Sequence, residues 1–123
     1  MSLVITFLLF TALFGGYLAL QILGVNSWRT SRRRAVQWAH GLIGIAGLGA
    51  LLFVPVQASA LKAMGMAWFR PGALAFLGLA LLTGLIIITL SGRGRRPTGA
   101  IVGTHVTIAI FGITMALAIG LLV

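Results

Sequence analysis

Two histidines, His40 and His105, are the only side chains in this sequence of 123 residues that titrate near neutral pH. The sequence contains no Asp, Glu or Cys. It therefore excludes paired-carboxylate hydrolysis, a Ser-His-Asp triad, a cysteine nucleophile and a thiolate zinc site. His40 lies six residues after Arg34, and His105 lies nine residues after Arg96. Each imidazole lies at a similar distance beyond a basic cluster and inside an apolar stretch, where an ionisable residue is a candidate functional group.

Each histidine heads a stripe of small residues on its predicted helix. The positions four and seven further along share a face with it. They are Gly44 and Gly47 for the first histidine, and Ala109 and Gly112 for the second. Two facing stripes would leave a flat slot, which a porphyrin held between two axial imidazoles would fill. Two alternatives stay open: each histidine bonds a backbone carbonyl on its own or a neighbouring helix, or the small residues serve ordinary packing between helices.

Four apolar stretches carry these residues, at about 3–24, 36–56, 68–90 and 98–123. At 1.5 Å per residue, each helix of about 20 residues can cross a hydrocarbon core of about 30 Å. Only 7% of the residues are charged, whereas a soluble domain needs roughly a quarter. We therefore predict an all-α membrane protein with a single transmembrane domain over 1–123. The predicted fold is a four-helix bundle of up-down-up-down topology, whose first helix is retained because no basic residue precedes it.

The basic residues predict the orientation of the chain. Seven of the nine lie in the loops after the first and third spans, against Lys62 and Arg70 between the second and third. The seven are Arg29, Arg32, Arg33, Arg34, Arg93, Arg95 and Arg96. This bias predicts cytoplasmic basic loops, both termini on the other side, and a bacterial inner membrane. The expected partners of these cations are anionic lipids and not nucleic acid.

The same topology predicts that the second and fourth spans run in parallel, which brings His40 and His105 to a similar depth, on the order of 10 Å inside the basic loops. Aligning the two histidines also places Ala35 on Ala100 and Gly47 on Gly112. These matches indicate a weak internal repeat of two helical hairpins. A duplicated hairpin would supply a pseudo-symmetric pair of ligands.

The histidine pair and the layout of four spans resemble b-type transmembrane cytochromes of the cytochrome b561 kind. Those bundles hold haem between histidines on alternate parallel helices, with glycine nearby, and they generally have more helices and two histidine pairs. The resemblance implies one low-spin haem b ligated by His40 and His105, with a quinone as a second candidate cofactor. Because six-coordinate iron has no open position, it implies an electron carrier more than an independent enzyme.

The haem hypothesis also assigns surrounding residues. Arg33, Arg34 and Arg96 would meet the haem propionates, because the guanidinium group pairs well with carboxylates. Trp38 would pack on the macrocycle edge. The second ring nitrogen of each histidine needs an acceptor, and the carbonyls of Val36 and Ile101 are candidates.

Other functions remain open. A cofactor-free accessory subunit of a larger respiratory or photosynthetic membrane complex fits the small size and the abundant Gly and Ala. A chlorin could replace haem at the histidines. A transporter is the least favoured, because no acidic residue can bind a cation or relay protons.

Overall fold

In a computed structural model, the described part of the chain is helical and contains no strand. It comprises residues 1–22, 24, 30–55 and 58–122, with only the backbone described for 30–33 and 122. Four helices are long and apolar enough to cross a membrane, as predicted. A short fifth helix lies between the second and third of them in the chain. The helices are α1 (Ser2–Ile22), α2 (Thr30–Phe53), α3 (Ala58–Ala63), α4 (Phe69–Gly92) and α5 (Gly99–Leu122).

The start of α2 differs from the prediction. We expected residues 26–34 to form a polar loop, but α2 begins at Thr30 and includes the backbone of Arg32, Arg33 and Arg34. Arginine is among the better helix formers, so a run of arginines extends a helix beyond the apolar stretch. Arg29 and Trp28 lie outside the described residues.

Glycine with positive φ ends both α3 and α4. Gly94 has a φ of 71°, and the amides of Gly94 and Arg95 donate to the carbonyls of Ser91 and Leu90 at 3.2 and 3.0 Å. Gly65 ends α3 in the same way, with a φ of 72°. This Schellman arrangement satisfies the last carbonyls of a helix and turns the chain sharply.

The start of α5 depends on Thr98. Its hydroxyl accepts a hydrogen bond from the Ile101 amide at 3.4 Å, three residues on, which is the position of an N-cap. Pro97 lies two residues before Gly99, where the helix begins.

The long helices form two hairpins, the first made of α1 and α2 and the second of α4 and α5. In the first hairpin, Gly44 lies against Thr11 and Gly47 against Leu8. Their order is reversed along the two helices, as in an antiparallel pair. The hairpins meet through contacts of α2 with α4 and of α1 with α5.

The apolar core lies towards one end of this bundle. It joins the beginning of α1 and α4 to the end of α2 and α5, and its buried members are Val4, Leu8, Leu51, Ala73, Leu77 and Ala116. Leu51, Ala73 and Ala116 have no solvent-accessible surface. Large apolar side chains such as Leu13, Leu85 and Phe111 point outward instead. An apolar exterior of this kind is what a bundle surrounded by lipid requires.

Candidate functional site: a pair of histidines

The structure brings together the two histidines, one from each hairpin. His40 lies on α2 and His105 on α5, and their ring centroids are 6.1 Å apart with an angle of 73° between the ring planes. At this point the two hairpins bring two imidazole rings close together.

His40 is oriented by α1, its partner in the first hairpin. Its Nδ1 lies 2.9 Å from the carbonyl oxygen of Thr11. Because a carbonyl oxygen only accepts, Nδ1 carries the proton and donates. Gly15 lies one turn further along α1, and a Cβ on this glycine would be 2.9 Å from the Cε1 atom of the imidazole. The histidine ring thus lies directly against the glycine backbone.

His105 is oriented in the same manner by α4. Its Nδ1 donates to the carbonyl of Ala80 at 2.9 Å, and the hydroxyl of Thr83 lies 3.1 Å from the same nitrogen. Gly84 again lies one turn beyond the acceptor. A Cβ on Gly84 would be 3.1 Å from Cε1 of His105.

These acceptors leave a ligand atom free on each ring. Among the candidates were the carbonyls of Val36 and Ile101 on the histidines' own helices and a backbone carbonyl on a neighbouring helix. The acceptors belong to the neighbouring helix of each hairpin. With Nδ1 protonated, Nε2 carries a lone pair. Neither Nε2 has a hydrogen-bond partner among the residues that the structure describes. Both can therefore bind a metal.

Both histidines line a cavity of about 230 Å³ that all four long helices enclose. Its wall is almost entirely apolar, and Gln37 and Thr11 are the polar neutral residues in it. The lining side chains that are exposed on the outside of the bundle all belong to α2 and α4: Trp38, Leu42, Ile45, Leu81 and Leu85. The cavity therefore opens sideways, between α2 and α4.

The predicted stripes of small residues share the cavity only at their first members. Gly44 and Ala109 line the cavity, but a Cβ on Gly47 would lie 3.2 Å from Leu8 on α1. A Cβ on Gly112 would lie 2.8 Å from Leu77 on α4. Gly47 and Gly112 therefore pack against the neighbouring helix of their own hairpin, where small residues allow antiparallel helices to approach closely.

The other predicted site residues lie at the rim or outside the cavity. Trp38 lines the opening and is 66% exposed. Arg34 and Arg96 are exposed, and neither side chain is part of the cavity wall. The side chain of Arg33 lies outside the described residues.

The separation of the rings suits one metal ion between them. A metal–imidazole bond is about 2.0 Å long and a ring nitrogen lies about 1.1 Å from its centroid, so two ligands on opposite sides of one ion have centroids about 6.2 Å apart. The observed distance is 6.1 Å. No group of three or more His, Cys, Asp or Glu occurs in the described part of the chain.

Sequence reasoning missed the residues that orient the rings: Thr11, Gly15, Ala80, Thr83 and Gly84. One signal was available. In both hairpins a small residue precedes a glycine by four positions on the first helix, as Thr11 and Gly15 and as Ala80 and Gly84. The second pair is 69 residues after the first, whereas the histidines are 65 apart. The two spacings differ by four residues, which is about one helical turn. An alignment that superimposes the histidines therefore does not superimpose the two glycines.

Comparison of the chain with models of protein families, with curated proteins and with solved structures gave no match. The site therefore has to be interpreted from its own geometry.

Proposed function

We propose that this protein is a membrane electron carrier that holds one low-spin haem b between His40 and His105. The observation that carries the proposal is the separation of the two rings, 6.1 Å between centroids, which suits two imidazoles on opposite sides of one iron. The resemblance to the cytochrome b561 kind is part of the same proposal.

The surroundings of the ligands support this proposal. Metal-ligating histidines nearly always donate their second N–H to a fixed acceptor, which sets the tautomer and the ring orientation. The carbonyls of Thr11 and Ala80 accept these bonds at 2.9 Å. When bound, the haem iron supplies one-electron chemistry, and two axial histidines leave no position on the iron for a substrate.

The apolar wall has a role in the same function. It keeps water away from the histidine pair, and the burial and dielectric around a metal help to set its reduction potential. The sideways opening between α2 and α4, bordered by Leu42 and Leu85, would let a flat apolar ring enter from the bilayer. A lipid-soluble quinone could exchange electrons at the same edge.

The proposed topology is up-down-up-down, with the basic loops in the cytoplasm and both termini on the opposite side of a bacterial inner membrane. Arg34 and Arg96 are exposed. Arg34 lies near the N-terminus of α2, and Arg96 lies three residues before α5 begins. Together with Arg33 they would meet the propionates, anionic lipid headgroups, or a redox partner.

An absorption spectrum of the detergent-purified protein tests the proposal. Protein from a haem-replete host should show the sharp reduced-minus-oxidised bands of low-spin haem b. His40→Ala and His105→Ala should each abolish stable haem binding, whereas Gln37→Ala, which alters the cavity wall without removing a ligand, should retain it. A colourless wild-type preparation would refute the proposal, and so would a full haem spectrum in either histidine variant.

A second candidate function is a cofactor-free subunit of a larger membrane complex. The exposed lining residues of α2 and α4 favour it, because a neighbouring subunit could cover Trp38, Leu42 and Leu81. This alternative predicts a colourless protein that purifies with a partner, which a mass measurement in mild detergent would detect. If the histidines bind a chlorin in place of haem, the same absorption spectrum would show chlorin bands.

A further inference from the structure

We infer that Gly15 and Gly84 are positioning residues that fix the rotation of the two histidine rings. The effect of this rotation on a bound haem iron rests on the proposed function. Neither glycine carries a side chain that could touch a ligand. Each acts by placing bare backbone against the edge of an imidazole on the neighbouring helix.

The contact in the first hairpin is the tighter of the two. A Cβ on Gly15 would lie 2.9, 3.4 and 3.6 Å from Cε1, Nδ1 and Nε2 of His40. The first distance is too short for two carbon atoms in contact, so any side chain at this position would displace the ring. Any such displacement would also strain the hydrogen bond that Nδ1 makes to the carbonyl of Thr11.

The contact in the second hairpin repeats this arrangement with more room. A Cβ on Gly84 would lie 3.1 and 3.6 Å from Cε1 and Nδ1 of His105. The ring would have to move by only a few tenths of an ångström. In both hairpins the acceptor carbonyl lies four residues before the glycine, on the same helix face.

The hydrogen bond and the glycine constrain different motions. A single bond from Nδ1 leaves an imidazole free to pivot about the line to its acceptor. The backbone of the glycine lies against Cε1 and blocks rotation of the ring towards that helix. The two constraints together set the plane of each ring, and hence the 73° between the two planes. Axial imidazole planes at such an angle give low-spin ferric haem a characteristic electronic structure.

Neighbouring glycines provide matched controls. Gly16 follows Gly15 directly, and Gly78 lies on α4 with Gly84. A Cβ on either of these would meet nothing within 4 Å. Alanine at these positions changes helix propensity as much as alanine at the two positioning glycines, without touching a histidine.

Electron paramagnetic resonance of the ferric protein tests the inference. The wild type should give the highly anisotropic signal of near-perpendicular axial planes, and Gly16→Ala and Gly78→Ala should share it. Gly15→Ala should change the g values and lower haem affinity by about tenfold, and Gly84→Ala should do so to a smaller extent. Unchanged signals in both Gly15→Ala and Gly84→Ala would overturn the inference.

Nuclear magnetic resonance of haem-free protein with ¹⁵N-labelled histidine makes a second, independent test. Gly15→Ala should move the Nδ1–H resonance of His40 towards that of a weaker hydrogen bond, and leave His105 less affected. Resonances that match the wild type would overturn the inference. If the wild type binds no haem, the proposed function fails, while this measurement still decides whether the glycines hold the rings.

Discussion

The two histidines differ in the hydrogen bonds of their Nδ1 atoms. Nδ1 of His40 has one acceptor, the carbonyl of Thr11, whereas Nδ1 of His105 also lies 3.1 Å from the hydroxyl of Thr83. That hydroxyl can donate to the carbonyls of Leu79 and Ala80, each at 3.0 Å. It is therefore free to accept from the imidazole. The ligand on α5 is held by one more hydrogen bond than its counterpart on α2.

Thr83→Val removes this extra acceptor and keeps the shape of the side chain. Donation from Nδ1–H makes an imidazole a stronger electron donor and favours ferric iron, so we expect the reduction potential of the bound haem to rise. One hydrogen bond of about 1 kcal/mol corresponds to roughly 40 mV for a one-electron couple. A redox titration followed by absorbance measures the change.

Thr89→Val is the matched control. Thr89 also lies on α4 and donates to the carbonyl four residues back, at 2.8 Å from Leu85, but it does not contact a histidine. Its variant should keep the wild-type potential. Equal potentials in both variants would show that Thr83 does not act on His105.

At the scale of the elements, Arg70 joins the two hairpins. Its Nη2 donates to the carbonyls of Leu51, Leu52 and Val54 at 3.3, 2.8 and 3.0 Å. These carbonyls end α2 and have no partner within their own helix. A cation at a helix C-terminus is also favoured by the helix dipole. A residue at the start of α4 thus caps the end of α2.

Arg70→Ala should lower the free energy of unfolding by about 1–3 kcal/mol, the range for a hydrogen-bonded charge. Denaturation in mixed micelles of mild and denaturing detergent measures it. Lys62→Ala is the control, because Lys62 is exposed and makes no side-chain hydrogen bond in the described chain. If both variants were equally stable, the cap would have no energetic role.

The elements also show what sequence patterns can and cannot predict. The four long helices were predictable, because an apolar run of about 20 residues has few alternatives in a bilayer. The start of α2 at Thr30 was not predicted, because the run of arginines after it was interpreted as part of a loop. The short helix Ala58–Ala63 was not predicted either. It is only six residues long, which is too short for an apolar period to be detected.

For the whole molecule, the meeting of His40 and His105 follows from a pattern that the sequence contains: equivalent positions in two hairpins. The carbonyls that orient them could not be predicted in this way. They depend on how far α1 slides along α2, and α4 along α5, which is set by contacts such as that of Gly112 with Leu77. The sequence pattern identifies the two histidines, and the packing of the helices determines the orientation of their rings.

Because each hairpin carries one imidazole with its own acceptor and glycine, the two halves should reassemble when they are separate chains. Co-expressed fragments 1–57 and 58–123 should form a complex with the haem spectrum of the intact protein. Haem should be lost more easily on dilution, since the covalent connection raises the effective concentration of one half near the other.

Co-purification through a tag on one fragment, followed by the spectrum, is the measurement. Introducing His40→Ala into the first fragment should abolish the bis-histidine bands while the fragments still associate. The same bands from a single fragment expressed alone would contradict the idea that each half supplies one ligand.

The uneven packing of the bundle has a mechanical consequence. Around Leu51 and Ala73 the helices are in close apolar contact, and Arg70 fastens α4 to the end of α2. Around Leu42 and Leu85 the same two helices border the opening of the cavity. At the packed end, apolar contacts and hydrogen bonds oppose separation of the two helices, whereas at the other end the cavity lies between them. A movement that separates the hairpins would therefore open the histidine end first and leave the core end together.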